Sequence, residues 1–88
     1  MKPAPHKAEA FEKRYGKKVE AFVEHKMEGK VLVEYTVRLM TDKATYELTE
    51  KLLDGRTLSV EVKIGDNTHT YKRYIDAEIA VVDKIAEE

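Results

Sequence analysis

Apolar positions recur at two different spacings along the chain, and the change from one to the other divides it. From His6 to Met27, residues Ala8, Phe11, Tyr15, Val19, Phe22 and Val23 fall three and four apart. That spacing lines one side of an α-helix. Gly29 follows at a position where a left-handed C-cap favours glycine, so one long amphipathic helix is the expected first element. Gly16 weakens that helix by about 1 kcal/mol relative to alanine. The competing reading breaks the helix there and makes 18–26 a strand, with Val19, Ala21, Val23 and His25 inward and Phe22 outward.

From Val31 the period becomes two. Val31, Val33, Tyr35, Val37 and Leu39 alternate with Leu32, Glu34, Thr36, Arg38 and Met40. A second alternation runs through Tyr46, Leu48, Glu50 and Leu52, a third through Leu58, Val60, Val62 and Ile64, and His69 to Tyr74 reads as a fourth strand. Turn chemistry separates them at 41–44, 53–55 and 65–68. Residues opposite one another in an antiparallel pair share a face, which allows each turn length to be tested. A four-residue turn at 41–44 sets Leu39 against Tyr46 and Val37 against Leu48. A three-residue Leu53-Asp54-Gly55 loop sets Leu48 against Val60, and a four-residue turn at 65–68 sets Val62 against Tyr71. All three give one continuous apolar face. A helix over 43–53, capped by Asp42, is the weaker competitor.

Ile75, Ile79, Val82 and Ala86 then return to helical spacing, although Ile75, Ala77, Ile79 and Val81 also alternate. The Ala and Glu content favours a helix over 76–87, with Asp76 as its cap. The expected fold is therefore α+β: an N-terminal helix packed on a four-stranded antiparallel meander sheet, with a C-terminal helix, in the order α-β-β-β-β-α. Residues 1–5 hold both prolines and form a flexible lead-in, and 6–88 make a single domain. No family signature or internal repeat stands out.

Composition narrows the setting more than the function. The chain of 88 residues has no Cys, Trp or Gln, one Asn (Asn67) and one Ser (Ser59), and 38% of it is charged. Loss of thermolabile side chains with enrichment in Lys and Glu marks heat-adapted proteins. Designed proteins carry the same mark. Without cysteine, disulfides and thiol chemistry are excluded, and no apolar run approaches the ~20 residues that span a bilayer. The opening Met-Lys-Pro-Ala-Pro-His lacks the apolar stretch of a signal peptide. The expected location is the cytoplasm of a thermophile or of a cell infected by its virus, with no membrane partner.

Candidate chemistry is sparse. Ser59 has no histidine beside it, and His6, His25 and His69 have no metal-ligand spacing. No catalytic site, metal or cofactor is expected, and the protein reads as a non-enzyme. Glu50 and Arg73 interrupt the apolar sheet face and, with Tyr35, form a candidate ligand site. Arg38, Lys51, Lys63 and Lys72, with Tyr74, lie on the outward face as a candidate nucleic-acid surface, opposed there by Glu34, Glu47 and Glu61. Tyr71, Ile75, Ile79, Val82 and Ile85 form an apolar stripe on the last helix that one sheet face does not obviously accommodate. Surplus apolar surface on a small domain points to a symmetric homodimer. The function expected is thus a protein-interaction module, a regulator, inhibitor or adaptor that self-associates and has a protein partner. A nucleic-acid-binding dimer is the first alternative and a small-ligand-binding domain the second.

Overall fold

The computed structural model describes all 88 residues. It has two helices and a single antiparallel sheet, in the order β1 (Lys2–Pro3), α1 (Pro5–Tyr15), β2 (Glu20–Glu28), β3 (Val31–Met40), β4 (Thr45–Leu53), β5 (Arg56–Ile64), β6 (Asn67–Tyr71) and α2 (Tyr74–Ala86). The α+β class and the C-terminal helix agree with the pattern of the sequence. The strand number does not, since the sheet has six strands rather than four.

The difference lies at Gly16. This residue takes a left-handed conformation (φ 69°) and its N–H donates to the carbonyl of Glu12 at 2.8 Å, which closes α1. Lys13 and Arg14 lie in the last turn, where cations complement the helix dipole. Beyond it, 20–28 is a strand, because Val19, Ala21 and Val23 satisfy period two as well as the helical spacing. Only the strand places Ala21 and Val23 opposite Leu39 and Val37 of β3. Gly29, expected as a helix cap, belongs instead to the turn that joins β2 to β3. Lys2 and Pro3, expected as a lead-in, pair with Val23 and Phe22.

The β3–β4 register is the one the sequence predicts, with Leu39 opposite Tyr46, Val37 opposite Leu48 and Tyr35 opposite Glu50. The next two hairpins keep the expected faces but are displaced by two residues. Leu48 faces Val62 rather than Val60, and Val62 faces His69 rather than Tyr71. The β4–β5 turn is the two-residue Asp54-Gly55, both at positive φ (52° and 77°), as a type I′ hairpin requires. A bulge between Lys51 and Leu52 takes up the odd residue, so Lys51 faces Ser59 and Leu52 faces Thr57. Leu58 is left without a partner in this register.

Both helices lie on one face of the sheet. Phe11 from α1, Ala77, Val81 and Ile85 from α2, and Val37, Leu39, Tyr46, Leu48, Val60 and Val62 from the strands form one buried cluster with Val19 and Ala21. α1 covers β2, while α2 covers β4, β5 and β6. Leu48 and Val60 at the centre are fully shielded, and each such side chain contributes roughly 1.5–3 kcal/mol of apolar burial. No polar side chain is buried in the core. α2 begins at Tyr74, so its N-cap is the extended Arg73 rather than Asp76, which lies in the first turn.

Candidate functional site

Tyr35 and Glu50 sit opposite each other on β3 and β4. The Tyr35 ring is 4.7 Å from the His25 ring, and the Lys7 ammonium lies 5.3 Å from the Tyr35 centroid. Glu50 accepts a hydrogen bond from the Thr57 hydroxyl. Arg73 does not join them. The strand ends at Tyr71, and Arg73 turns to fork onto Asp76, with Nε and Nη2 at 2.9 and 3.0 Å from the two carboxylate oxygens. Tyr74 takes the place expected for Arg73. Burial pushes its phenol well above the ordinary tyrosine value, and the charges of Glu78, Tyr35, Glu50 and Tyr15 add to the shift.

Tyr35 and Glu50 do not line the nearby cleft of about 690 Å³ between α1 and α2, which shares only Lys7 and Tyr74 with this corner. Phe11, Val37, Leu39 and the Tyr74 ring supply its apolar lining, and His6, Lys7, Lys13 and Arg14 supply the charge along α1. Glu78 is the one acid in the lining. It accepts from the Tyr15 hydroxyl at 2.5 Å and from Arg14 Nη1 at 3.3 Å. Desolvation first, and the Glu78 hydrogen bond second, raise the Tyr15 phenol above its usual range. The lining holds no Ser, Thr or Cys, and no three His, Cys, Asp or Glu side chains converge as a metal-ligand set. His25, expected at a helix end, is on β2, and His69 is an exposed residue of β6.

The residues expected on the outward sheet face divide. Arg38 donates to Glu47 through Nε at 2.8 Å, Lys51 to Glu61 at 2.9 Å, and Lys26 lies 3.3 Å from Glu34. Lys63 is exposed opposite Glu47, and Lys72 is exposed just past β6. Glu61 faces Thr70 rather than Lys72. Tyr74 is not on this face at all, because it opens α2 and lines the cleft. On this face Arg38, Lys51 and Lys26 are thus paired with acids, while Lys63 and Lys72 form no ion pair.

The five residues of the expected interface stripe also separate. Ile85 is buried in the core, and Tyr71 packs against it while pairing with Val60. Val82 is partly buried. Ile75 and Ile79 are 39% and 45% exposed, less than Met27, Val31, Leu53 and Leu58 at or near the ends of the strands, but they lie one turn apart on one helix. With Val82 and Ala86 they form a second row on α2, spaced four, three and four, beside the buried row Ala77, Val81 and Ile85. No helix is long and apolar enough to cross a membrane.

The two helices carry opposite charge. α1 holds three cations against two acids and α2 three acids against one cation, with Lys17 and Lys18 just after α1 and Glu87 and Glu88 just after α2 adding to each. The near-zero net charge of −1 conceals this division. The spacing of apolar residues does not reveal the cleft, because its charged lining on α1 has no periodic signature and its acid, Glu78, comes from the far end of the chain. The run Lys13-Arg14-Tyr15-Gly16-Lys17-Lys18 was the available signal. No protein-family model, curated protein or solved structure matches this chain.

Proposed function

We propose that this protein is a non-enzymatic interaction module that self-associates through the outer row of α2, and that in this form it serves as a regulator or adaptor for another protein. The observation that carries the reading is the exposure of Ile75 and Ile79 in a regular apolar row with Val82. Such a row, continuous along a helix and touching the core only through Val82, is the usual form of a helix-mediated contact surface. The charge division favours a second copy as the occupant. Asp76, Asp83 and Glu87 flank the row on α2, while Lys7, Lys13, Arg14, Lys17 and Lys18 cluster on and just after α1. In a twofold dimer each copy presents both surfaces, so α2 of one faces α1 of the other twice over. Complementary charge of this kind sets register and speeds encounter more than it adds affinity.

The test is the solution mass across a hundredfold range of protein concentration. A species of twice 10.1 kDa that weakens as salt is raised, and that Ile79→Glu converts to monomer, is the expected result. A monomer at every concentration, or a dimer that Ile79→Glu leaves intact, overturns the reading.

A further inference from the structure

The cleft between α1 and α2 shares Lys7, Lys13 and Arg14 with the charge complement proposed for the dimer but none of its apolar row, since Ile75, Ile79 and Val82 are not among its lining residues. We infer that it binds a flat aromatic acid. Three observations combine. The volume of about 690 Å³ lies within the range of about 300–1,000 Å³ occupied by small-molecule sites. The accessible apolar lining comes from Ala10, Tyr15 and Tyr74 over a floor of Phe11, Val37 and Leu39, each 5% exposed or less, and two phenol rings suit a planar apolar body. The charge is one-sided, because Glu78 is already bound by Tyr15 and Arg14.

The spacing along α1 makes the ligand class more specific. Lys7 and Arg14 are seven residues apart, two helical turns, so their backbones lie about 10 Å apart on the same side of the helix. Between them, at the third position, is Ala10, also in the lining. An alanine there leaves a shelf against which a ring can lie with its ends directed at the two cations. Lys13 is less available, since it lies 3.7 Å from Glu9. Lys7 meets only the Tyr35 ring, a weak exposed contact that an oxyanion can replace, and Arg14 engages Glu78 through one nitrogen only, leaving donors for an incoming oxyanion. A two-ring body with an anionic group at each end spans the distance, and one with a single anionic group engages one cation at a time.

Three probes test this: naphthalene-2,6-disulfonate, naphthalene-2-sulfonate and the neutral naphthalene-2-methanol, titrated against ¹⁵N-labelled protein. Saturable amide shifts at residues 7, 10, 14, 74 and 78 are expected. Affinity should fall about tenfold for each anionic group removed, as loss of a charge-assisted hydrogen bond implies. Lys7→Gln and Arg14→Gln should each weaken the disulfonate by a similar factor. Because Arg14→Gln also loosens Glu78, Ala10→Phe provides a second check, filling the shelf and abolishing binding with the amide spectrum otherwise unchanged. Equal affinity for the neutral compound, shifts centred on Ile75 and Ile79 instead, or full binding by Ala10→Phe would each overturn the inference. Ile79→Ala should bind the probes as the wild type does, so failure here is distinguishable from failure of self-association.

Discussion

Val81 and Ile79 are two residues apart on α2 and belong to different surfaces, so truncating each one measures what the fold asks of the helix. Val81 has no exposed surface. Val81→Ala removes two methyl groups, worth about 1.6 kcal/mol of transfer at about 0.8 kcal/mol each, and leaves a cavity the sheet cannot fully close. Alanine's better helix propensity returns roughly 0.5 kcal/mol, so the net cost is about 2 kcal/mol. For a domain of this size that lowers Tm by about 8–16 °C. Ile79 is 45% exposed. Its three deleted carbons therefore represent about 1 kcal/mol rather than the roughly 2.4 kcal/mol of full burial, and the propensity gain reduces this to about 0.5–1 kcal/mol. The assay is thermal unfolding by circular dichroism at low micromolar and at several hundred micromolar protein. In dilute solution Val81→Ala should be the more damaging by a factor of two or more. In concentrated solution the Ile79→Ala deficit should grow, because association stabilises the wild type by mass action. If Ile79→Ala matches Val81→Ala in dilute solution, or Val81→Ala costs less than about 1 kcal/mol, the assignment of the two rows is wrong.

Three further outcomes follow from the β4–β5 turn and the Tyr46–Glu88 bond. Gly55→Ala, at φ 77°, should cost about 1 kcal/mol despite open space around it, because the strain is in the backbone and not in packing; chemical denaturation measures this, and no loss would argue against the two-residue turn. Glu88 Oε2 accepts from the Tyr46 hydroxyl at 2.5 Å and from Thr41 Oγ1 at 2.8 Å, and these bonds hold its carboxyl below the ordinary glutamate range. Its contribution to stability is therefore present above about pH 4.3 and lost as pH falls through the lowered value, so Glu88→Gln should be less stable than wild type at pH 7 and converge with it at pH 3. At the other end of the scale, burial and the Glu88 bond push Tyr46 up to about 12, and its contribution should disappear between about pH 10 and 12.

How much the sequence disclosed depended on whether two periods competed within one segment. Over 31–64 period two is satisfied far better than the helical spacing that competes over 43–53, and the strands agree with the structure, with the faces agreeing up to the bulge at Lys51 and Leu52. The two displaced hairpins show the limit. Alternation fixes which face a residue takes, and a shift of two preserves that, so only the turn type decides between registers. Asp54-Gly55 was the better turn, but it required a bulge that alternation does not reveal. Over 17–27 both periods fit, since Val19 and Val23 are four apart and also share a strand face with Ala21. There the edge of β3, which needed a partner, decided the outcome. Of the candidate site, Tyr35 opposite Glu50 was legible because it rests on the one correct register. Arg73 and Tyr74 were exchanged because the alternation was extended past Tyr71, where the chain had already turned into α2.

The sheet order β1-β2-β3-β4-β5-β6 is also the chain order, and this bears on how the molecule reaches its structure. Four of the five ladders join strands linked by a short turn, so each can close with little loss of chain entropy. Only β1 must reach back across a helix to find its partner. A β-rich domain usually folds slowly because its contacts join distant parts of the chain. Here nearly every ladder is local, so the sheet can grow outward from any one of its hairpins, and a chain emerging during synthesis can pair each strand with the one before it.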